Sequence, residues 1–207
     1  MKNKVAVFGV MAIAMLGVAN DAAAFGRVRP IPNPPLDVSI DQIQMAGTGC
    51  ADNSGIAEVS EDRTTIRMSS PLAAAVDASR KLDRKSCNAV ITLSKIPAGK
   101  RLVVSEVKLE GAQDLGAGAV GKLTHETFLV GEVNPALEQE LGSMEQDTVD
   151  VIALAQADAV ATACGTESVL LRTNTSLMLR NAAQARASQV SLGLVQLKLR
   201  LEDCSAE

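Results

Sequence analysis

The chain has no tryptophan, no tyrosine and only three phenylalanines in 207 residues. Two of these, Phe25 and Phe128, lie beyond position 24. A core of packed rings is therefore excluded, and the interior has to be built from Val, Leu, Ile, Ala and Met. Histidine is almost as scarce, with His125 alone. There is no C-x-x-C pair either, so the common zinc patterns are missing and no metal or other cofactor is expected. After the first 24 residues there is no long apolar run, which excludes a membrane-spanning helix from the rest of the chain. The last residues, Cys204-Ser205-Ala206-Glu207, lack the terminal aromatic of outer-membrane barrels, so barrel insertion is not expected either.

The N-terminus reads as a cleavable export signal over residues 1–24. Lys2 and Lys4 give a positive start, Val5 to Ala19 an apolar stretch of 15 residues, and Ala22-Ala23-Ala24 a small-residue cleavage site. The apolar stretch falls short of the roughly 20 residues a membrane anchor needs. No cysteine lies near the cut, which argues against a lipid-modified N-terminus. Cleavage would leave 183 residues carrying 18 basic and 23 acidic side chains, a net charge of −5. That balance disfavours non-specific binding to nucleic acid or anionic membranes.

The four cysteines, Cys50, Cys87, Cys164 and Cys204, all follow the signal. An even number in an exported chain points to two disulfides. Three connectivities are possible. Cys50–Cys87 with Cys164–Cys204 is preferred, because each pair flanks its own block of strand-like sequence. Loops of roughly 40 residues would each contribute about 4 kcal/mol in the chain-entropy model.

Residues 25–36 read as a linker, since Pro30, Pro32, Pro34 and Pro35 enforce extended backbone. From Asp37 to Glu207 period two dominates. Val38 and Ile40 share a face, and Ile43 and Met45 continue it after a slip of one residue. Turns are expected at Gly47-Thr48-Gly49 and Asn53-Ser54-Gly55. Ala57 and Val59 begin a strand, Glu61-Asp62-Arg63 is a hairpin tip, and Ile66 and Met68 mark the return. Ala89, Ile91 and Leu93 form another strand, closed by Ile96-Pro97-Ala98-Gly99. Val103, Ser105, Val107 and Leu109 line one face of the next, with Glu106, Lys108 and Glu110 opposite. Val169, Leu171, Leu177 and Leu179 share one parity, with Arg172, Asn174 and Arg180 on the other. In the last strand the parity changes between Leu194 and Val195, so a bulge is expected near Gly193. Asn134-Pro135 with Leu137 and Leu141 at i, i+4 predicts one short helix, stopped by Gly142. Thr148 to Ala163 fits strand or helix, with strand favoured near Asp147–Leu154. The expected fold is an all-β antiparallel sandwich, jelly-roll-like in one arrangement, with at most one short helix and two disulfides.

In their order, these landmarks resemble one family. They are Gly47-Thr48-Gly49-Cys50, Arg84-Lys85-Ser86-Cys87, Ile96-Pro97-Ala98-Gly99, the Val107–Gly111 strand leading to Asp114-Leu115-Gly116, Cys164-Gly165, and a final strand closing on Cys204. Together they look like Domain of Unknown Function 4360, a family of secreted proteins, over roughly Val38 to Cys204. The resemblance implies export and a disulfide-containing β fold, and implies no activity. Members are usually rich in aromatics in the middle strands and carry a tryptophan near the last cysteine. This chain has Leu109 and Leu199 in such regions, so any ligand contact made through those rings is not carried over.

Several motifs suggest chemistry and fail on context. Gly116-Ala117-Gly118-Ala119-Val120-Gly121 spells G-x-G-x-x-G, but dinucleotide binding needs a following helix, and Lys122 to Val130 alternates like a strand. A glycine hairpin is the better reading. Ser105 and Lys108 spell S-x-x-K, yet on a strand positions i and i+3 face opposite ways. His125 shares a strand face with Leu123, Thr127 and Leu129 and reads as a buried or edge residue rather than a base, since triad chemistry needs partners not evident here. Leu123 to Leu171 contains nine acidic residues and no Lys or Arg. Glu138, Glu140, Glu145, Asp147 and Asp150 match no calcium-loop spacing and read as a solvated face. Arg80, Lys81, Arg84 and Lys85 read as a charged turn. Asn174-Thr175-Ser176 is an N-glycosylation sequon. No catalytic, cofactor or metal residue is assigned. The expected protein is an exported, non-enzymatic module in a structural or binding role, with an envelope or extracellular partner. The alternatives are a secreted hydrolase-like enzyme using acidic residues such as Glu126 or Asp147, which would have to converge, and a self-assembling surface subunit.

Overall fold

Ten strands and no helix make up the computed structural model, which describes residues 35–50, 56–130, 135–143, 147–181 and 186–204. The export signal, the linker as far as Pro34, the Asn53-Ser54-Gly55 turn, Asn134 and Glu145 lie outside the described residues. In chain order the strands are β1 (Ser39–Ala46), β2 (Ile56–Val59), β3 (Thr65–Val76), β4 (Leu82–Ser94) and β5 (Lys100–Leu115). There follow β6 (Ala119–Leu129), β7 (Leu137–Ser143), β8 (Thr148–Ala161), β9 (Ser168–Arg180) and β10 (Ser188–Asp203).

The strands form two five-stranded antiparallel sheets, ordered β1-β4-β9-β6-β7 and β2-β3-β10-β5-β8. Pairing is nested. β6 pairs with β7, β5 with β8, β4 with β9 and β3 with β10. One long antiparallel ribbon is thus rolled up, and the β5–β10 and β6–β9 pairings close the roll. This is the jelly-roll arrangement. β1 and β2 extend it at the edges.

The inward faces supply the core. β6 alternates buried and half-buried residues along its whole length, and β9 does so from Thr173 to Leu179. Leu123, Leu171, Leu177, Leu179 and Leu197 are fully buried. Each such leucine contributes about 2 kcal/mol by leaving water. The core begins at Leu36, which is 9% exposed and donates its N–H to the Asp62 carbonyl at 2.7 Å.

Bulges keep the apolar rows inward where the sequence changes phase. The slip after Ile40 is a bulge at Asp41, opposite Leu93 and Thr92. The register of β10 shifts between Leu192 and Leu194, so Leu192 and Val195 are both buried while Gly193 is outside.

Two expectations are corrected. The predicted helix over Pro135–Gly142 is strand β7. Leu137 and Leu141 share a face in either structure, because four is an even step on a strand. Half-buried Gln139 lies between them, and Glu138 and Glu140 point out beside Lys122. The face assigned to Val103, Ser105, Val107 and Leu109 is also wrong at its start. Ser105 is an extra residue in the β5 ladder, so the inward row runs Leu102, Val104, Val107 and Leu109. Apolar residues at 102, 103 and 104 hid that change of phase.

Candidate functional site

The disulfides are Cys50–Cys87 and Cys164–Cys204, the preferred pairing. Cys50 and Cys87 are buried, whereas Cys164 is exposed and Cys204 half-buried. The first closes the Gly47-Thr48-Gly49 turn onto β4. The Gly49 N–H donates to the Ser86 carbonyl at 2.8 Å, and the Ser86 N–H to Thr48 Oγ1 at 3.1 Å. A side chain at Gly47, whose φ is +147°, would place its Cβ 2.2 Å from the Ser86 carbonyl oxygen. The backbones meet too closely there for any residue but glycine. The second disulfide clasps the end of β10 to the loop after β8. Next to it, the Cys204 N–H donates to the Gly99 carbonyl at 2.8 Å.

His125 is completely buried. Its Nδ1 lies 2.8 Å from Thr175 Oγ1 and its Nε2 2.9 Å from Thr127 Oγ1. Burial pushes its pKa down to about 4. Burial therefore keeps the imidazole neutral at ordinary pH, and its two ring nitrogens tie Thr127 on β6 to Thr175 on β9.

The Gly116–Gly121 stretch is a tight turn over Gly116–Ala119, with the Ala119 N–H donating to the Gly116 carbonyl at 2.9 Å, followed by the start of β6. Gly118 holds φ +86° at its third position, as a type II turn requires. It carries the chain from one sheet to the other, so it is not a hairpin within a sheet, and β6 follows it directly. Ser105 Oγ donates to the Lys198 carbonyl, while Lys108 pairs with Glu106, so these two do not act together.

Asp147 accepts hydrogen bonds from the Ala117 N–H at 2.7 Å and from Arg186 at 3.2 Å, which lower its pKa. Arg186 also holds Asp114 at 2.6 Å. Glu126 lies far along β6, beside Asn174. Glu126 is seven strand steps from Ala119, about 24 Å. The structure therefore does not bring Glu126 and Asp147 together. Glu138 pairs with Lys122 at 2.6 Å. Among the described residues no three metal-ligating side chains converge. In the basic cluster, Arg80 and Lys85 flank Asp83 at 3.6 and 3.7 Å. Asn174 lies in the middle of β9, between β4 and β6, rather than on a loop.

One surface feature among the described residues carries no mark in the sequence. An open groove of about 590 Å³ is lined by Pro35–Asp37, Thr64 and Thr65, Ser105, and Lys198–Leu201. It exists because β3 stops before β10 does. The last paired residues are Thr65 and Lys198. One more bond follows, from the Leu199 N–H to the Thr64 carbonyl at 2.7 Å. The reciprocal bond is missing because the Thr64 N–H donates to the Asp62 carboxylate at 3.1 Å. Ser60 Oγ also donates to that carboxylate at 2.5 Å, and these bonds lower its pKa.

β10 nevertheless continues to Asp203. Alternate peptide groups point to opposite sides of a strand, so Leu201 and Asp203 direct their N–H groups the same way as Leu199. The β5 side agrees, because Leu102, opposite Leu201, directs both its N–H and its carbonyl to Thr162 on its other flank. Among the described residues, Leu201 has no backbone partner on the groove side. Lys198 and Arg200 stand on the outer face there, each 47% exposed and paired with Glu106 and Glu202. No sequence signal marks this place, because it arises where two strands of different length meet across 130 residues of chain.

The fold and groove define a disulfide-closed jelly-roll module in which, among the described residues, the end of β10 has no neighbour on the β3 side. The sequence profile of the family described as Domain of unknown function (DUF4360) matches residues 36–202, and the chain belongs to that family. No curated protein matches it. Among solved structures, it is similar to TmCBM61 in complex with β-1,4-galactotriose, with 8% identity and a TM-score of 0.29 over 80% of this chain and 90% of that one. It is also similar to the enzymatically active domain of tailspike protein 4 of bacteriophage CBA120, with 12% identity and a TM-score of 0.27 over 75% of this chain and 20% of that one. Both similarities are too weak to carry a fold or a ligand over to this chain.

Proposed function

We infer that the chain is exported with loss of residues 1–24 and acts outside the cytoplasm as a non-catalytic recognition module of the cell envelope or medium. Residues 25–36 serve as its linker. Two disulfides suit an oxidising compartment, and the N-terminal segment has the charge and apolar pattern of an export signal. The observation that carries the recognition role is the groove along the end of β10, where Leu201 has no backbone partner among the described residues and Lys198 and Arg200 stand on the outer face.

The test is capture of the disulfide-closed chain by its own envelope and medium fractions, with and without Lys198→Gln and Arg200→Gln. The double variant should melt like the parent and lose capture at least tenfold. Capture indifferent to both substitutions would remove the groove from the account. Reproducible turnover on a hydrolase panel, abolished by His125→Ala, would replace a recognition role with catalysis.

A further inference from the structure

The groove's chemistry specifies its occupant more narrowly. Its wall offers the Leu199 carbonyl, then the N–H and carbonyl of Leu201, and the Asp203 N–H follows just beyond its end. These are spaced at the two-residue repeat of a strand, about 6.8 Å. An extended polypeptide answers that repeat of donors and acceptors along its whole edge. The side chains around it are equally ordered. Leu36 and Leu201 lie on the inner side, and Lys198 and Arg200 on the outer side. A strand laid here would bury alternate residues against leucine and present the others to the cations. The volume falls within the roughly 300–1,000 Å³ of ordinary ligand sites.

We propose that this groove binds an extended segment of a partner protein with alternating apolar and acidic residues, which adds to β10 along Leu199–Asp203 where β3 stops. The Asp62 carboxylate holds the Thr64 N–H and so leaves the Leu199 carbonyl without that donor. The proposal rests on the recognition reading above and names the partner's chemistry.

The probe is a capped hexapeptide alternating glutamate and valine, titrated into the ¹⁵N-labelled, disulfide-closed chain to millimolar concentration. Hydrogen exchange at the Leu201 and Asp203 amides should slow at least tenfold. The same peptide N-methylated at every residue should leave both amides unchanged. No slowing with the plain peptide, or equal effects from both peptides, would overturn strand addition. If the Lys198→Gln and Arg200→Gln pair still abolishes envelope capture in that case, the groove recognises something other than a strand, a polysaccharide for example. The recognition reading then survives and this inference does not.

Discussion

The Thr64 N–H donates to the Asp62 carboxylate, 3.1 Å away, and not to the Leu199 carbonyl, at the point where the chain turns back through Ser60–Arg63 and the ladder between β3 and β10 ends. Replacing Asp62 by alanine frees the Thr64 amide to reach the Leu199 carbonyl. Asp62→Ala should therefore add a protected amide at Thr64 and narrow the groove, which amide exchange and weaker peptide binding would report. An unprotected Thr64 amide in the variant would show that the ladder ends for another reason.

Buried His125 should make the fold acid-labile in a defined window. Its pKa is lowered from 6.5 to about 4 in the folded state, so the unfolded chain binds the extra proton first as pH falls. Stability is at its full value above the unfolded pKa. It declines through the interval from 6.5 to about 4, by about 3 kcal/mol in all. His125→Gln, which can serve both threonine hydroxyls without titrating, should flatten that slope in urea melts taken across the interval. An unchanged slope would place the acid sensitivity elsewhere.

Asp77 contributes lower on the scale. It accepts from the Ser79 hydroxyl, the Arg80 N–H and the Ser79 N–H, which bring its pKa to about 2. Its stabilisation is present above the unfolded value of 3.8 and is lost as pH falls through 2. Asp77→Ala should leave the slope between pH 6.5 and 4 unchanged and reduce the loss below pH 3.8, the reverse of His125→Gln.

The two disulfides differ in access. Mild reductant without denaturant should open Cys164–Cys204 first, because Cys164 is exposed, and leave Cys50–Cys87 intact until the fold opens. Timed alkylation with mass spectrometry reads the order. Removing the exposed pair by Cys164→Ser with Cys204→Ser should cost about 4 kcal/mol for its separation of 40 residues.

Two glycines separate steric need from backbone conformation. Gly47→Ala would drive its Cβ into the Ser86 carbonyl and should destabilise by roughly 3 kcal/mol or more. Gly99 has φ +76° but nothing within 4 Å of an added Cβ, so Gly99→Ala should cost only about 1–2 kcal/mol. Equal costs in thermal melts would mean that the Gly47 approach is not tight.

Much of the architecture is legible along single strands. The Leu123–Thr127–Leu129 row, the Gly193 bulge and the Asp41 slip each follow from side-chain parity. The disulfide pairing is legible in that each pair flanks its own block of strand-like sequence, and the structure adds that β1, which Cys50 follows, pairs with the strand that carries Cys87. β7 was misread because Leu137 and Leu141 satisfy both periods, and the Ser105 bulge was masked by apolar neighbours on both parities. The groove was invisible for a different reason. It depends on where β3 stops pairing with β10, a relationship between distant segments that no local pattern encodes.

The most direct test is residue-resolved hydrogen exchange along β10 in the free, disulfide-closed chain. The account predicts a protected Leu199 amide, held by the Thr64 carbonyl, and Leu201 and Asp203 amides exchanging near their intrinsic rates. Protection of Leu201 equal to that of Leu199 would mean that the edge is already paired, and the recognition site described here would not exist.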